Sequence, residues 1–398
     1  MNHARRILMI APTSFFLDYG CHVRILEEAR ALKSRGQQVR IATYYLGRDW
    51  PGLDIVRSRP TPWRADYEVG SSRHKIVFDL LLSWRVLQEA IRWRPDLIHG
   101  HLHEGGLMGS VVGRMTGVPV VFDLQGSMTG EMIDHGFLKK ETLSYYWWRR
   151  LEERIVDMPD VIVTSTTHSA DLLARGFGRR RDVYPLPDSV NLDYFSPACL
   201  TPEERAEQRA ALGLPAGRQV IVYLGLLADY QGIPQLLAAT AWLRAQGHPV
   251  SCLLMGFPRI DAYQRQAAEL GLSHEDLVFT GKIPYELAPS YLALGDVAVA
   301  PKLSATEGSG KILNYMAMGL PVVAYDTPVS REYLASLGTY ASPLGDVEAL
   351  ARAIATLLDD SALRQELGLE LRERAGRYFS WKRTGLQLMR IYRGLWHH

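Results

Sequence analysis

Short apolar runs alternate with longer amphipathic segments along the first half of the chain. Residues 7–11 and 39–43 are apolar runs of strand length, and between them the apolar side chains recur at helical spacing from about residue 22 to 34. A strand, a helix and another strand in this order make a βαβ unit, which predicts a parallel sheet. Further strands are predicted at 96–101, 119–126 and 160–165, whereas residues 44–75 show no period that assigns them.

The same alternation starts again after residue 217. Strands are predicted at 220–225, 251–255, 277–279, 297–300 and 322–325, with helices at 233–245, 262–270, 285–294 and 312–318 between them. This order predicts a second doubly wound parallel sheet. Residues 198–217 are rich in Ala, Glu and Pro and are typical of a linker helix, so we place a domain boundary at Pro197. The pattern therefore predicts two α/β domains, 1–197 and 198–379.

A glycine-rich loop separates the strand at 297–300 from the helix at 312–318. The loop and its flanks contain Glu307, Gly308, Ser309 and Gly310, with Lys302 before them and Lys311 after them. Backbone N–H groups at a helix N-terminus point at an anion, and the helix dipole adds to the attraction. A carboxylate beside such a site predicts a ligand with a phosphate and a hydroxyl-rich part, such as a nucleotide-sugar. The alternative is an ordinary loop-to-helix junction with solvated lysines.

Polar side chains follow the strands of the first half. Gly20 precedes the first helix, but no Gly-x-Gly-x-x-Gly follows the first strand, which argues against a nicotinamide or flavin enzyme. His101, His103 and Gln125 lie where the strands at 96–101 and 119–126 end, and ligands bind at this edge of open parallel sheets. These side chains can hydrogen-bond sugar hydroxyls, and a histidine can also transfer a proton. The alternative for both histidines is a surface position with no part in binding.

Composition and charge restrict the classes of function. The chain has 398 residues, 47% of them hydrophobic and 22% charged, and a formal net charge of +2. So small a net charge argues against a nucleic-acid partner. No Asp-x-Asp occurs in the sequence, although enzymes that hold a nucleotide-sugar through a divalent cation generally use one, because hard cations prefer carboxylate oxygens. We therefore expect no metal and no other cofactor.

The sequence predicts a cytoplasmic protein. The amino-terminal apolar run is too short for a signal peptide, and no stretch approaches the roughly 18 apolar residues of a membrane span. Cys21, Cys199 and Cys252 are widely spaced and match no disulfide or metal pattern. The aromatic and basic segment from Tyr145 to Arg150 is interpreted as a helix whose rings pack beneath the sheet. The alternative is a peripheral contact of this segment with the inner face of a membrane.

The glycine-rich loop and the helix after it resemble the donor-site segment of family 4 glycosyltransferases. The resemblance rests on the sequence EGSG at 307–310 and YMAMGLPVVA at 315–324, and it extends over nearly the whole chain, with Phe195 and Pro197 matching the interdomain stretch. Members of this family are retaining, metal-independent enzymes. The resemblance implies the GT-B fold, in which two Rossmann-like doubly wound domains face a central cleft. It also implies that the last segment, 380–398, packs back on the N-terminal domain.

Two donor-site positions depart from the pattern of this family. Leu226 and Gln231 stand where the family commonly has an Arg and a Lys that clamp the donor diphosphate. Such cations stabilise the charge of the leaving diphosphate, so their loss has to be replaced. Lys302 and Lys311 are the candidates for this replacement.

Two further departures concern the ribose and the acceptor side. The second acidic residue of the family's E-x7-E motif, a ribose binder, is absent, and either Asn314 or Tyr315 takes its place, depending on the alignment. The amide of Asn314 can still donate to a ribose oxygen. Gln125 stands at a position where the family usually has His, and a glutamine cannot carry a proton there.

The resemblance implies an enzyme that moves a hexose-type sugar from a nucleotide-sugar to a hydroxyl-bearing acceptor, such as a glycan, a lipid-linked molecule or a small molecule. The residues assigned to catalysis are Glu307, Lys311 and Lys302. Those assigned to donor binding are Gly225, Gln231, Lys282, Ile283, Gly308, Ser309, Gly310 and Asn314. Those assigned to the acceptor side are Gly20, His101, His103 and Gln125. Two alternatives stay open: a GT-B protein that binds a sugar or nucleotide without transfer, and a sugar-nucleotide epimerase.

Overall fold

The computed structural model describes residues 4–17, 20–61, 75–134, 137–179, 182–304 and 308–396, with the backbone alone at residue 134. These residues form two compact units. The first contains the described residues up to Pro187, Gly308 and those from Trp381 onward, and the second contains 188–304 and 309–380. Within these ranges, no helix is both long and apolar enough to cross a membrane.

All of the strands pair in parallel. In chain order they are β1 (Arg6–Ala11), β2 (Gln38–Thr43), β3 (Asp54–Arg57), β4 (Leu97–His101), β5 (Val120–Leu124), β6 (Val161–Thr164), β7 (Val183–Pro185), β8 (Gln219–Leu224), β9 (Val250–Met255), β10 (Leu277–Gly281), β11 (Val297–Ala300), β12 (Val322–Tyr325) and β13 (Thr339–Ala341).

The helices alternate with these strands. In chain order they are α1 (Gly20–Lys33), α2 (Lys75–Trp93), α3 (Leu102–Thr116), α4 (Met128–Asp134), α5 (Leu143–Asp157), α6 (Thr167–Gly176), α7 (Pro202–Ala211), α8 (Ile233–Ala245), α9 (Ile260–Glu269), α10 (Ala288–Leu292), α11 (Gly310–Ala317), α12 (Pro328–Leu334), α13 (Val347–Asp359), α14 (Ser361–Tyr378) and α15 (Trp381–Trp396). Short 3-10 turns cover Pro197–Cys199, Asp229–Gln231, Tyr285–Leu287 and Ala335–Leu337.

The first unit is built on a seven-stranded sheet in the order β3-β2-β1-β4-β5-β6-β7. Its central strands β4 and β5 are buried along their whole length, as expected for a parallel sheet with helices on both faces. α2 and α3 share one apolar core with β1, β2, β4 and β5. The chain order reverses between β1 and β4, so the carboxyl ends of these two strands flank a topological switch point, where ligands bind in open sheets.

α15 belongs to this unit and packs against α1. The helices approach closely because Gly385 lacks a side chain: a Cβ there would lie 2.6 Å from Arg35 Nη1 and 3.0 Å from the Cβ of Ala31. Near the carboxyl end of α15, Tyr392 is fully buried, and its hydroxyl lies 2.6 Å from Nδ1 of His99 on β4.

The second unit is built on a six-stranded sheet in the order β10-β9-β8-β11-β12-β13. Its core lies between the sheet and helices that include α8, α9 and α13. The chain order reverses between β8 and β11. The carboxyl ends of these strands therefore mark the expected ligand site of this unit, and α11 begins after β11 at the same edge.

The structure confirms the predicted fold class and most of the predicted elements. Residues 44–75, to which the pattern assigned no element, contain the edge strand β3, which is short and only half-buried and so has little apolar pattern. Two expectations were wrong. The predicted helix 285–294 is broken into a 3-10 turn and the short α10. The rings of α5 do not all pack beneath the sheet, because the buried positions of this helix are Glu152, Ile155 and Val156, whereas Tyr146 and Trp147 are exposed. A membrane contact of α5 stays a prediction.

Candidate active site

Three of the predicted donor residues meet at the switch point of the second sheet. Gly225 directly follows β8, and Gln231 ends the 3-10 turn after it. Lys311, in the first turn of α11, extends back toward both of them. Its Nζ donates a hydrogen bond of 2.8 Å to Oε1 of Gln231 and another of 2.8 Å to the hydroxyl of Tyr223. Lys311 is 88 positions from Tyr223 and 80 positions from Gln231 in sequence, so only the fold brings its ammonium to these two partners.

Gln231 and Tyr223 fix the position of the Lys311 ammonium, and neither of these two side chains carries an opposite charge. Nζ also lies 4.1 Å from the ring centroid of Tyr223, within the range of a cation–π contact. Burial raises the pKa of Tyr223 well above its usual value, so the phenol keeps its proton. That proton is donated to the carbonyl of Leu226 at 2.7 Å. The result is a chain of hydrogen bonds from Lys311 through Tyr223 to the loop after β8.

Gly225 is required by this arrangement. Its φ of +143° lies in a region that side chains avoid, and a Cβ there would lie 2.9 Å from Nζ of Lys311. Gly232, which follows Gln231, has a φ of +79°, and a Cβ there would lie 1.9 Å from the carbonyl oxygen of Pro301. The loops after β8 and β11 therefore pack backbone against backbone. Lys302, the residue after Pro301, is buried at the same edge of the sheet.

The N-terminus of α11 contains a buried hydroxyl without a partner. Ser309 is the residue before the helix, yet its side chain makes no capping hydrogen bond, unlike a usual serine at this position. Its Oγ is buried and has no hydrogen-bond partner among the described residues. A buried hydroxyl normally finds a partner, so this atom is available to a hydrogen-bonding group that the described residues do not supply. Gly310 begins the helix, and Gly308 directly precedes Ser309.

The other predicted donor residues are not all brought together. Asn314 is half-buried on α11, one turn from Gly310. Tyr315 is fully buried, and its hydroxyl accepts a hydrogen bond of 2.8 Å from the amide of Leu224, which joins α11 to β8. Lys282 and Ile283 follow β10, the strand at the outer edge of the sheet. Glu307 lies outside the described residues, so its assignment stays a prediction.

In the first unit, His101 and Gln125 share one carboxylate that sequence reasoning did not single out. Oδ2 of Asp123 lies 2.9 Å from Nδ1 of His101 and accepts a hydrogen bond of 2.8 Å from the amide of Gln125. His101 and Asp123 are fully buried, at the carboxyl ends of β4 and β5. Nε2 of His101 has no hydrogen-bond partner among the described residues. Gly20 begins α1 and is exposed.

Asp123 also binds Arg24 in a buried charge network. The guanidinium of Arg24 donates two hydrogen bonds, of 2.8 and 2.9 Å, to the two oxygens of Asp123, and it lies 3.2 Å from the carboxylate of Glu28. Burial opposes ionisation of Asp123, but the charge of Arg24 and the hydrogen bond from His101 outweigh it and hold the pKa of this carboxyl far below its usual value. Burial and the neighbouring His101 lower the pKa of His99, which stacks on His101.

One buried cluster has the residue types and spacing of a metal site: ligand atoms within 4.8 Å of one another come from Glu28, His99, His101 and Asp123. The charges in this cluster, however, do not suit a metal cation. Arg24 already places a positive charge against both carboxylates, and a metal cation in the same place would be repelled. We interpret the cluster as a fixed network that joins α1, β4, β5 and, through Tyr392, α15.

His103 forms a separate buried pair with Glu152. Nε2 of His103 lies 3.4 Å from Oε1 of Glu152, whose oxygens also accept hydrogen bonds from the amides of Met128 and Thr129 and from the hydroxyls of Ser127 and Thr129. Glu152 on α5 therefore caps α4. Burial opposes its ionisation, but these donors outweigh burial and lower the pKa of Glu152 to about 2. Burial by itself would lower the pKa of His103, but Glu152 raises it.

The His103–Glu152 pair is expected to stabilise the folded protein most within a limited pH range. Because the pKa of Glu152 is lowered in the folded state, its contribution is present above the reference value of 4.5 and is lost as the pH falls toward 2. Because the pKa of His103 is raised, its contribution is present below the reference value of 6.5 and is lost as the pH rises through the folded-state value. We expect Glu152→Gln to lower the free energy of unfolding by about 2–3 kcal/mol, with the largest effect between these reference values.

The measurement is urea denaturation of both proteins from pH 4 to pH 8. Glu153→Gln is the matched control, since Glu153 is the half-exposed neighbour of Glu152 and pairs with arginines of its own helix. If the difference in free energy of unfolding between wild type and Glu152→Gln does not change with pH, the assigned pKa shifts of Glu152 and His103 are contradicted.

Sequence reasoning missed Tyr223, Asp123, Arg24, Glu28 and His99. The signal for Asp123 was present, because it is the one charged residue in the apolar run at 120–124. Arg24 and Glu28 stand among the apolar positions of α1, which also hints at an inward charge pair at i,i+4. For Tyr223 the sequence offers no hint, because an aromatic residue in a buried strand is usually part of the core.

Comparison with known proteins agrees with this architecture. Residues 204–376 match the family described as "Glycosyl transferases group 1", and residues 19–187 match the "Glycosyl transferase 4-like domain". The chain is 28% identical to 2-deoxystreptamine N-acetyl-D-glucosaminyltransferase of Streptomyces fradiae over 395 residues, which covers 92% of this chain and 89% of that enzyme.

Solved structures with the same fold cover nearly the whole chain. Sucrose-phosphate synthase from Thermosynechococcus elongatus has a TM-score of 0.82 at 21% identity, with 99% of each chain covered. Anabaena Alr3699/HepE in complex with UDP-glucose has a TM-score of 0.77 at 16% identity, with 98% of this chain and 99% of that chain covered. Two sheets of the doubly wound type, two matched family segments and these structures lead to one conclusion: the chain belongs to the family 4 glycosyltransferases, enzymes with the GT-B fold.

Proposed function

We propose that this glycosyltransferase binds the diphosphate of a nucleotide-sugar at the switch point of the second sheet. The observation that carries the proposal is the position of Lys311, whose ammonium is held by Gln231 and Tyr223 beside the start of α11. The buried Oγ of Ser309, which has no hydrogen-bond partner in the part of the chain that the structure describes, lies at the same helix N-terminus. A fixed cation, a free hydroxyl and a helix N-terminus together are the elements of a phosphate site.

In this proposal Lys311 supplies the positive charge that a lysine at the position of Gln231 commonly supplies in this family. Gln231 stands at the position of that lysine, and it accepts a hydrogen bond from Lys311. The positive charge is therefore supplied from α11 to the same place on the loop after β8. Lys302, buried after β11, is the second cation of the proposed site. Asn314, one turn further along α11, is assigned to the ribose.

The reaction we propose is transfer of a hexose-type sugar to a hydroxyl acceptor with retention at the anomeric carbon. Negative charge grows on the diphosphate as its bond to the sugar breaks, and Lys311, Lys302 and the dipole of α11 stabilise that charge. Cations of the protein fill the role that a divalent metal has in other transferases, in agreement with the lack of an Asp-x-Asp. Glu307 is proposed to bind hydroxyls of the donor sugar. We infer a cytoplasmic location from the three scattered cysteines.

A thermal-shift panel tests this proposal. The purified protein is heated with UDP, GDP, ADP and their common hexose derivatives, with a chelator present. A nucleotide at about 100 times its Kd is expected to add about 2.7 kcal/mol of stability, which gives a clear rise in Tm. One nucleotide that raises Tm identifies the base of the donor, and the hexose derivative with the larger effect identifies the sugar.

The absence of the family's Arg and Lys from positions 226 and 231 favours one second candidate, a GT-B protein that binds a ligand without transfer. Incubation of the protein with the donor from the panel separates the two. Release of the nucleotide diphosphate together with a glycosylated acceptor supports transfer. Donor that binds and stays intact with every class of hydroxyl acceptor supports the non-catalytic candidate, and an isomerised nucleotide-sugar without acceptor would indicate an epimerase.

A further inference from the structure

Helix α2 has two apolar faces. One face carries Phe78, Leu82 and Val86, which are buried in the core of the first unit against β1, β2 and β4. The opposite face carries Ile76, Leu80, Trp84 and Ile91, which are 66%, 66%, 56% and 60% exposed. Arg92 is the one other exposed residue of this helix. A helix of a globular protein normally has polar side chains on its outer face, so this outer face is built to be covered.

The neighbouring helix α3 also exposes apolar side chains. α3 packs beside α2, and both bury their inner faces in one core. The exposed residues within α3 are Val111, Arg114 and Met115. We call the outer surface formed by Ile76, Leu80, Trp84, Ile91, Val111 and Met115 the α2–α3 face. From Ile76 to Ile91 it is roughly 22 Å long, at the rise of about 1.5 Å per helical residue.

The exposed charged residues of α2 and α3, together with the residue directly after α2, have one sign. Arg92 and Arg114 are exposed on the two helices, and Arg94 is exposed directly after α2. No carboxylate of these helices is exposed: Glu89 is buried and paired with Arg40 and Arg85, and Glu104 is paired with Lys75. The remaining acid, Asp79, accepts a hydrogen bond from the hydroxyl of Tyr44. The exposed side chains of α2 and α3 are therefore apolar or basic.

We propose that the α2–α3 face docks the enzyme on a membrane surface that contains anionic lipids. An amphipathic helix binds such a surface by lying in its plane, with apolar side chains among the acyl chains and arginines among the anionic headgroups. Trp84 fits this position, because indole rings favour the boundary between headgroups and acyl chains.

A second copy of the chain fits the same surface poorly. A standard protein interface uses roughly 20–30 residues from each partner, and the apolar part of this face has six. In a two-fold dimer the patch would also meet itself, so Arg92 and Arg114 would face the same arginines without a carboxylate between them. Anionic headgroups supply the opposite charge.

The test is cosedimentation with lipid vesicles. The full chain is mixed with vesicles of phosphatidylcholine alone and with vesicles of phosphatidylcholine and phosphatidylglycerol at about 7:3. We expect binding to the anionic vesicles that weakens as salt is raised. Leu80→Gln with Trp84→Gln is expected to lower the partition coefficient at least ten-fold, and Arg92→Gln or Arg114→Gln about five-fold each, because each basic side chain contributes about 1 kcal/mol at an anionic surface.

Two control variants locate the contact. Leu369→Gln removes an exposed apolar side chain from α14 in the second unit, and it is expected to leave binding unchanged. Trp147→Gln removes the exposed ring of α5, the segment that the sequence alone indicated, and a smaller effect than that of the α2 variant is expected. All of these positions are on the surface, so an unchanged Tm and an unchanged circular dichroism spectrum check that each variant is folded.

Three results would overturn the proposal. One is a wild-type protein that stays in the supernatant with both vesicle types. Another is an α2 variant that sediments like wild type, or a Trp147→Gln variant that alone loses binding, since either moves the contact away from α2. The third is a dimer by light scattering that Leu80→Gln with Trp84→Gln dissociates, with no vesicle binding, which identifies a second copy as the occupant. None of these measurements requires a donor, so they are independent of the proposed function.

Discussion

Lys311→Met is expected to reduce turnover of the nucleotide-sugar by about 10²–10³-fold, the usual loss when one group that stabilises developing negative charge is removed. Methionine keeps most of the length of the side chain but carries no charge. The hydroxyl of Tyr223 and the amide of Gln231 stay in place, so the loop after β8 keeps its other contacts. The expected loss is therefore electrostatic, and it includes a smaller or absent Tm shift with the nucleotide diphosphate.

The measurement is initial-rate kinetics with the donor found in the thermal-shift panel. Lys382→Met is the matched control, since Lys382 is an exposed lysine on α15 in the first unit and is expected to leave the rate unchanged. Turnover by Lys311→Met within two-fold of wild type would remove Lys311 from the proposed diphosphate site. If Lys302→Ala combined with Lys311→Ala also kept wild-type turnover, the whole lysine-based assignment would be wrong.

A variant of Gln231 tests whether the exact position of the Lys311 ammonium matters, in addition to its charge. Gln231→Met leaves the ammonium in the protein but removes one of the acceptors that hold it. A loss of about 10-fold is expected from misplacement, less than the loss in Lys311→Met, because the hydrogen bond to Tyr223 remains. Gln231→Lys combined with Lys311→Gln exchanges the two groups and is expected to restore part of the turnover that Lys311→Met loses.

Arg24→Met is expected to lower the free energy of unfolding by about 3–5 kcal/mol, the usual cost of leaving a buried charge without its partner. Arg24 donates both hydrogen bonds that neutralise Asp123, lies against Glu28, and also donates to the carbonyl of Leu186 at 3.1 Å. Both carboxylates are fully buried, so water cannot replace the guanidinium. The expected result is a large destabilisation at neutral pH that becomes smaller in acid.

The sign of this pH effect follows from Asp123. Its pKa is held far below the usual value in the folded wild type, so the stability it contributes is present above the unfolded-state pKa and is lost as the pH falls. In Arg24→Met the carboxyl can instead take up a proton, so wild type and variant converge as the pH is lowered. Urea denaturation at several pH values measures this difference.

Arg30→Met is the control for the Arg24 experiment. Arg30 lies on the same helix and pairs with Glu27 at 2.6 Å, but it is partly exposed, and exposed pairs contribute only about 0–1 kcal/mol. Equal destabilisation by the two variants would contradict the buried network. Arg24→Met combined with Asp123→Asn is expected to cost less than the sum of the single changes, because the unpaired charge is then removed.

Comparison of particular elements shows which parts of the fold could be predicted. The apolar run at 7–11 became β1, and the apolar run at 297–300 became β11, because a strand buried on both faces requires apolar residues at every position. β3 could not be predicted, because a half-buried edge strand carries no such requirement. α5 was misjudged, because its aromatic residues at 145–148 are consecutive, so they point around the helix and cannot all face the sheet.

The candidate site also contains some residues that could be predicted from sequence and others that could not. The glycine-rich loop, Lys302 and Lys311 could be found from sequence, because a strand, a loop and a helix are contiguous there. The role of Gln231 could not, because its contact with Lys311 joins positions 80 residues apart. His101 and His103 looked alike in sequence, yet the structure gives them Asp123 and Glu152, two carboxylates from different elements, as partners.

The sequence by itself determined two doubly wound sheets and the helix that follows the glycine-rich loop, since local period and the alternation of strands and helices are enough to specify these features. Only the tertiary structure decided how the charged groups pair. Arg24, Glu28, His101 and Asp123 come from three separate elements, and they meet because the sheet brings α1, β4 and β5 together. The exposed apolar face of α2 was likewise decided by packing, because a helix that is apolar on both sides gives no indication in sequence of which side the core will cover.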